Sequence, residues 1–250
     1  MGLYVLHHYI FAAFSIIMGH KKLIRFAEMA TFANVFQNDV QHYGQWHSYF
    51  GNTNPITLEL ACGKGEYTVC LAQLHPSSNY IGIDVKGNRI WVGAKKCIRE
   101  AIHNAAFVRT QIDGIQNYFA PNEIAAIWIT FPDPQLRWGK MTRRLTHPKY
   151  LRYYQKMLQP GGVIHLKTDS PDLYHFTKKV IDMHGLTVLE EYTDVHKQAT
   201  HNPALMIRTY YEGLNISGSN TIYYLQFTID NIQPGMDDAL KQHFKPLVHE

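Results

Sequence analysis

The stretch ITLELACGKGEYTVCLAQL, residues 56–74, decides the fold. Its apolar beginning, residues 56–60, is typical of a short buried strand, and residues 66–74 are typical of a helix. The loop between them contains Gly63 and Gly65, and glycine lets the backbone adopt positive φ and approach a ligand closely. The sequence therefore predicts a strand–loop–helix unit whose loop either binds a ligand or is only a tight turn.

Short apolar runs alternate with helical patterns along the rest of the chain. The further predicted strands are residues 80–84, 106–110, 124–131, 163–167, 186–192 and 222–229, and the further predicted helices are residues 90–102, 148–158 and 171–184. Strands that alternate with helices at these lengths form right-handed βαβ units. The pattern therefore predicts an α/β fold with a largely parallel sheet and helices on both faces.

Glycine or an acidic residue follows each of the first five predicted strands. The carboxyl ends of parallel strands meet at one edge of a sheet, where α/β proteins bind their ligands. A helix cap or a turn explains any one aspartate, but packing alone does not explain the whole set. We therefore expect a common rim formed by Gly63, Asp84, Asp113, Asp133 and Asp169.

The acidic residues near the glycine loop suit an adenosine-containing ligand better than a dinucleotide. Thr68 occupies the third glycine position of GxGxxG, which weakens the case for a bound pyrophosphate. Asp84 lies about 20 residues after the loop, where a carboxylate can accept both ribose hydroxyls. Asp113 is placed to accept from an adenine amino group. Glu59 lies within an apolar strand and needs a hydrogen-bond donor, either a ligand amine or a loop amide.

The composition narrows the class of protein. The chain has 250 residues, which suits one α/β domain with extensions, and its net charge of +4 permits a polyanionic partner without requiring one. Cys62, Cys70 and Cys97 show no CxxC spacing, which argues against disulfides or a zinc knuckle and favours a reducing cytoplasm. The 15 histidines are scattered, and we expect no metal site.

A carboxylate between two prolines ends the fourth predicted strand, in AIWITFPDPQLRWGKMTRRLTHP, residues 126–148. Proline fixes its own φ and biases the preceding residue toward extended backbone. We therefore expect Asp133 to be held in one place. The basic residues that follow are Arg137, Lys140, Arg143 and Arg144. They form either a solvated loop or, beside a reactive site, contacts to nucleic-acid phosphates.

The first 17 residues, MGLYVLHHYIFAAFSII, form an apolar N-terminal extension. They lack the positive n-region of a signal peptide, because the charges of Lys21 and Lys22 come afterwards. The run is also short for a membrane span. We favour a translation start at Met18, with a membrane-facing helix and a packed extension as the alternatives.

Five segments carry a resemblance to a known family. In chain order they are ELACGKGEY, YIGIDVKGNRIWVGAKK, FPDPQ, LKTD and RTYYE. Together they resemble the bacterial tRNA (guanine-N7-)-methyltransferase family over roughly residues 18–230, and GHKKLIRFAEM resembles the start of that family. The GxG loop is common to S-adenosylmethionine enzymes, whereas IDVKGNRIW, FPDP and the terminal TxYE are more specific.

This resemblance implies a Rossmann-like class I methyltransferase fold, with a seven-stranded, mostly parallel sheet whose last strand is antiparallel. It implies S-adenosyl-L-methionine as cofactor and transfer of its methyl group to N7 of a guanine in tRNA, in the variable loop. Asp133 is the predicted catalytic residue, and Lys140, Arg143 and Arg144 are predicted to contact the tRNA backbone. By matching position, the cofactor-binding residues are Glu59, Gly63, Gly65, Asp84, Asp113 and Asp133, and the substrate-side residues are Arg137, Asp169, Thr209, Tyr210, Tyr211 and Glu212.

Three residues depart from the family pattern. Ala61 stands where the family usually has glycine, at the start of the cofactor loop. Gln135 stands where many members have tryptophan, and Arg137 where many have lysine. A cationic contact survives the change at Arg137, although arginine and lysine differ in geometry.

The sequence is divided into an apolar extension (1–17), a basic N-terminal segment (18–50), the methyltransferase domain (51–232) and a C-terminal tail (233–250). A cytoplasmic monomer or homodimer without a membrane partner is expected. Two other functions stay open, namely a methyltransferase for small molecules or proteins and a non-catalytic RNA-binding module. The basic run after Asp133 disfavours the former, and the acidic rim disfavours the latter.

Overall fold

The computed structural model describes residues 22–199, 201–210, 212 and 220–245. The strands in this part of the chain are β1 (Val35–Gln37), β2 (Ile56–Leu60), β3 (Asn79–Asp84), β4 (Ala105–Arg109), β5 (Ile124–Thr130), β6 (Leu158–Thr168), β7 (Val188–Tyr192) and β8 (Tyr223–Thr228). They form one sheet in the order β1-β4-β3-β2-β5-β6-β8-β7.

Strand β8 alone runs against its neighbours. It pairs antiparallel with both β6 and β7, whereas the other neighbouring strands pair in parallel. The predicted mostly parallel sheet with an antiparallel last strand is therefore confirmed. Within the described residues the sheet has eight strands rather than the seven expected, because β1 adds an edge strand beside β4. That strand has only three residues and no apolar period, so the sequence pattern did not reveal it.

Helices follow the strands as the alternation predicts. They are α1 (residues 22–29), α2 (Trp46–Phe50), α3 (Glu66–Leu74), α4 (Gly87–Arg99), α5 (Pro148–Met157), α6 (Pro171–His184), α7 (Val195–Gln198) and α8 (Asp237–His243), with 3-10 helices at Ile112–Asn117 and Trp138–Arg143. Among the described residues, no helix is both long enough and apolar enough to cross a bilayer.

Apolar side chains cover the sheet on both faces. Val108 and Ile127 belong to one buried cluster, whereas the neighbouring residues Phe107 and Trp128 belong to another. Successive side chains of a strand point to opposite faces, so the two clusters lie on opposite sides of the sheet. A sheet buried on both faces explains why its central strands are continuous apolar runs in the sequence.

Helix α6 illustrates how local sequence fixes an element beside the site. Ser170 caps its N-terminus, because the Ser170 hydroxyl accepts from the amide of Leu173 at 3.2 Å. Pro171 occupies the first helical turn, where a missing N–H costs nothing. Gly185 ends the helix in the left-handed conformation, with φ of 62°. These signals fix where α6 begins and therefore where the preceding residue Asp169 lies.

Strand β6 begins earlier than predicted. The sequence Pro160-Gly161-Gly162 predicts a turn before a strand at 163–167, but β6 starts at Leu158. The pairing register shifts between Ile124 and Ala126, whose partners are Leu158 and Val163. Gly161 and Gly162 therefore lie within the strand, at an irregularity in its pairing with β5.

Both flanks of the predicted methyltransferase domain pack against it. In the 18–50 segment, Trp46 is 1% exposed and its indole N–H donates to the Tyr118 carbonyl at 2.9 Å. In the 233–250 tail, the Asp237 carboxylate accepts from the Arg152 guanidinium at 2.6 and 3.0 Å. The extension 1–17 and the start at Met18 lie outside the described residues.

Candidate active site

A cleft lies at the carboxyl ends of the central parallel strands. Its volume is about 680 Å³. Strand ends from β2, β3, β5 and β6 meet there, as the rule for α/β sheets predicts. The predicted site residues that line it are Glu59, Gly63, Asp84, Asp133, Asp169 and Thr209.

The β2–α3 loop has three residues in the left-handed conformation. Ala61, Gly63 and Gly65 have φ of 56°, 57° and 71°. A Cβ atom at Gly65 would lie 2.5 Å from the ring of Phe107, so this position requires glycine for space as well as for φ. Ala61 adopts a conformation that costs an L-residue energy, which is the consequence of having alanine where the family usually has glycine.

Glu59, in β2, joins the first turn of α3 to the end of β5. Its carboxylate accepts from the Thr68 amide at 2.7 Å, from the Thr68 hydroxyl at 2.5 Å and from the Thr130 hydroxyl at 2.8 Å. Burial nevertheless raises the pKa of Glu59 to about 7. The sequence left two kinds of donor open for Glu59, a ligand amine or a loop amide. The structure shows a backbone amide, that of Thr68 in the first turn of α3, just after the loop. Thr68, in place of a third glycine, supplies two of the three donors.

Asp84 connects the ends of β2 and β3. One carboxylate oxygen accepts from the Gly63 amide at 2.9 Å, and the other accepts from the Lys86 amide at 2.8 Å. Each oxygen of a carboxylate has two lone pairs, so these bonds leave acceptor capacity on a side chain that lines the cleft.

The Phe131–Gln135 segment forms a tight turn at the end of β5. Phe131 and Gln135 have φ of 45° and 47°, and the Asp133 Oδ1 atom accepts from the Gln135 amide at 2.9 Å. Phe131 has positive φ and therefore lacks the extended backbone that Pro132 favours at the preceding residue. Asp133 is exposed at the cleft, and this hydrogen bond holds one of its two carboxylate oxygens.

Asp113 lies apart from the other acids. Its carboxylate pairs with the Lys149 ammonium and accepts from the Tyr150 hydroxyl at 3.2 Å. Lys149 holds the pKa of Asp113 below its usual range. Asp113 is not among the residues that line the cleft, so its contact with an adenine amino group stays a prediction.

The basic run after Asp133 divides into two groups. Arg137, Lys140 and Arg143 are exposed, as phosphate contacts require. Arg144 is 6% exposed, and its Nε donates to the Pro134 carbonyl at 3.0 Å. The structure thus places Arg144 inside the protein, away from the surface that would meet a phosphate.

A segment before β8 approaches the cofactor loop. The Tyr210 amide donates to the Glu66 carboxylate at 3.2 Å, and the Lys64 ammonium lies 3.6 Å from the centre of the Tyr210 ring. Thr209 lines the cleft, whereas Tyr211 lies outside the described residues.

Lys167, on β6, was not predicted as a site residue, although a lysine in an apolar strand signals a specific partner. That partner is the Glu212 carboxylate, which its ammonium meets at 3.1 Å.

Comparison with known proteins agrees with the geometry. Residues 53–225 match a family model described as "Putative methyltransferase". Two solved structures share the fold, "16S rRNA Methyltranferase KamB" (TM-score 0.56, 14% identity, 77% of this chain and 97% of that chain) and "Antibiotic Related Methyltransferase" (TM-score 0.55, 14% identity, 74% and 92%). At this identity they establish the fold alone.

Curated relatives are more similar in sequence. A tRNA (guanine-N(7)-)-methyltransferase of Porphyromonas gingivalis is 46% identical over 80% of this chain and 86% of its own length. Proteins with the same name from Christiangramia forsetii and Bacteroides thetaiotaomicron are 42% and 40% identical, each over 85% of this chain and over 100% and 87% of their own lengths. The chain therefore belongs to the tRNA (guanine-N(7)-)-methyltransferase family.

Proposed function

We propose that this protein transfers a methyl group from S-adenosyl-L-methionine to N7 of a guanine in the variable loop of tRNA, forming 7-methylguanosine. The observation that carries the proposal is the cleft, where the β2–α3 loop and Asp84 face the same space as Asp133 and Asp169. A cofactor and a base would meet there. The names of the curated relatives support the same reaction.

The cleft fits the chemistry of this cofactor. Its carboxylates, among them Glu66 and Asp84, suit a ligand that carries an ammonium, a sulfonium and two ribose hydroxyls. Gly63 lines the cleft in the left-handed conformation, and with no side chain it lets a ligand approach the loop backbone closely. When bound, S-adenosyl-L-methionine supplies a methyl group that its sulfonium has already activated.

The residues at the cleft then have to align the base and stabilise the positive charge that develops on it. Guanine N7 presents a lone pair and carries no proton, so no strong general base is required and positioning is the main task. Asp133 would accept hydrogen bonds from guanine N1 and the exocyclic amine. Its negative charge would also stabilise the positive charge that develops on the purine ring.

The exposed residues Arg137, Lys140 and Arg143 follow Asp133 in the chain, and they would contact tRNA phosphates. The target guanine would have to leave its stack to reach the cleft. Asp169, Thr209, Tyr210 and Tyr211 would form the rest of the substrate side. Glu212, whose buried carboxylate pairs with Lys167, would hold the segment that contains Thr209 in place. We place this reaction in the cytoplasm, with the protein acting as a monomer or a homodimer.

The experiment that tests the proposal is methyl transfer from radiolabelled S-adenosyl-L-methionine to three acceptors, namely unmodified tRNA transcript, total protein and a small-molecule extract. We expect label in tRNA alone. Label in protein or small molecules but not in tRNA would favour the other methyltransferase class. Tight tRNA binding without transfer to any acceptor would favour a non-catalytic RNA-binding module.

A further inference from the structure

Two adjacent arginines end the basic run, and they occupy opposite environments. Arg143 closes the 3-10 helix Trp138–Arg143 and is exposed. Arg144 follows in extended backbone, with φ of −62° and ψ of 130°, and is 6% exposed. Burial lowers the pKa of the Arg144 guanidinium. A buried guanidinium has a cost in desolvation, so its partners must be specific.

The partners of Arg144 are the two carbonyls of the turn that contains Asp133. Its Nε donates to the Pro134 carbonyl at 3.0 Å, and its Nη2 donates to the Gln135 carbonyl at 3.4 Å. The guanidinium carbon also lies 4.5 Å from the centre of the Phe176 ring, which is fully buried in α6. Arg144 therefore joins this turn to the interior of the protein.

These two carbonyls belong to the peptide planes on either side of Gln135. The relative orientation of those planes is set by φ and ψ of Gln135, and its φ of 47° is unfavourable for a residue with a side chain. One planar guanidinium that binds both oxygens fixes that orientation. Strained backbone of this kind persists where surrounding contacts over-determine it.

The plane before Gln135 also contains its amide, and this amide donates to Asp133 Oδ1 at 2.9 Å. The orientation of the Asp133 carboxylate thus depends on a peptide plane that Arg144 holds. We propose that Arg144 is a positioning residue, which acts through the Pro134–Gln135 backbone to keep Asp133 aimed into the cleft. The inference rests on the proposed function, because it takes Asp133 as the carboxylate that meets the base.

The charge-preserving variant Arg144→Lys is the sharpest test. Lysine keeps the positive charge but has no planar fork that can hold two carbonyls at once. We expect kcat for tRNA methylation to fall roughly 10- to 100-fold, as for a small misplacement of a catalytic group. The KM for tRNA and the Kd for S-adenosyl-L-methionine should stay within about threefold of the wild-type values, because Arg144 would touch neither. Arg99→Lys is the matched control, since Arg99 is an exposed arginine of α4 that pairs with Glu100.

A salt titration separates the two neighbouring arginines. Arg143→Gln should reduce the slope of log Kd for tRNA against log salt by about 1, because one phosphate contact is lost. Arg144→Gln should leave that slope at the wild-type value. A slope change for Arg144→Gln equal to that for Arg143→Gln would assign Arg144 to the tRNA backbone and overturn the inference.

Hydrogen exchange tests the same inference without any substrate. The Gln135 amide of Arg144→Lys, followed by NMR, should exchange at least about tenfold faster than in the wild type, since the peptide plane that carries this amide is no longer held against Asp133. Unchanged exchange, or wild-type kcat in Arg144→Lys, would overturn the positioning role. A wild-type protein that methylates no tRNA but shows the exchange difference would contradict only the proposed function.

Discussion

The Lys167 ammonium lies 3.1 Å from the Glu212 carboxylate, and the two side chains are 0% and 5% exposed. The same ammonium donates to the carbonyls of Leu205 and Ile207, each at 2.9 Å. Its three N–H groups therefore have three acceptors. These contacts attach the segment that contains Thr209 to strand β6, beside the cleft.

The first prediction is that Lys167→Met destabilises the protein strongly. The change removes the ammonium from the buried Glu212 carboxylate, whose other oxygen lies 2.9 Å from His196 Nε2. Breaking a buried ion pair in this way costs about 3–5 kcal/mol. Denaturant-induced unfolding measures the free energy of unfolding directly.

A double-mutant cycle gives the control for this pair. Lys167→Met together with Glu212→Gln should cost less than the sum of the two single changes, because the neutral side chain no longer needs the ammonium. Additive free energies of unfolding would show that Lys167 and Glu212 do not stabilise each other.

The second prediction concerns Glu59 and pH. Burial raises the pKa of Glu59 to about 7, and unfolded glutamate titrates near about 4.3. Between these values the folded state binds a proton that the unfolded state has released, so stability falls as pH rises toward 7. Glu59→Gln cannot ionise and should lack this component.

The measurement is the free energy of unfolding of both proteins from pH 4 to 9. The wild type should lose stability relative to Glu59→Gln by up to about 1.4 kcal/mol per pH unit between about pH 5 and 7, and the difference should be flat above about pH 8. Burial lowers the pKa of His147 to about 4 and that of His165 to about 3, so both also make stability depend on pH below about 6.5, but they are present in both proteins and cancel. Parallel curves would rule out a raised pKa for Glu59.

The third prediction is that Ala61→Gly stabilises the protein. Ala61 has φ of 56°, and this conformation costs an L-residue roughly 1–2 kcal/mol. The greater freedom of glycine in the unfolded chain offsets about 0.4–1 kcal/mol of that gain. We expect the free energy of unfolding to increase by up to about 1.6 kcal/mol, measured by thermal unfolding.

Gly65→Ala provides the opposite case on the same loop. Its Cβ would lie 2.5 Å from the Phe107 ring at a backbone φ of 71°, so the variant should melt well below the wild type. If Ala61→Gly and Gly65→Ala moved the melting temperature in the same direction, the account of the loop backbone would be wrong.

The sequence predicted which residues come together at strand ends, because that depends only on the order of strands and the direction of their carboxyl ends. Gly63, Asp84, Asp133 and Asp169 line one cleft, whereas Asp113, the fifth residue of the expected rim, does not. It did not predict where charged side chains point within a loop. Arg143 and Arg144 are indistinguishable in the sequence, yet one is exposed and the other is buried against Phe176.

The sequence also did not predict which charged side chains far apart in the chain bind each other. Nothing in the pattern around Asp113 indicates that Lys149, 36 residues later, binds its carboxylate. The pairing of Lys167 with Glu212 spans 45 residues. Both depend on packing of α5 or of the segment before β8, which strand and helix periodicity does not specify.

The fourth prediction separates catalysis from cofactor binding. Asp133→Ala should abolish methyl transfer while the Kd for S-adenosyl-L-methionine stays within about tenfold of the wild-type value, because the carboxylate is proposed to act on the base. Asp84→Asn should instead weaken cofactor binding, measured by calorimetry. A large loss of cofactor affinity in Asp133→Ala would reassign Asp133 to the cofactor.

The most direct test of the central claim is to map the methylated position. Unmodified tRNA treated with the protein and S-adenosyl-L-methionine is reduced and cleaved with aniline, which breaks the chain at 7-methylguanosine, and Asp133→Ala serves as the blank. We expect a single cleavage, at a variable-loop guanine, that the blank lacks. Methyl incorporation into tRNA without any such cleavage would contradict it.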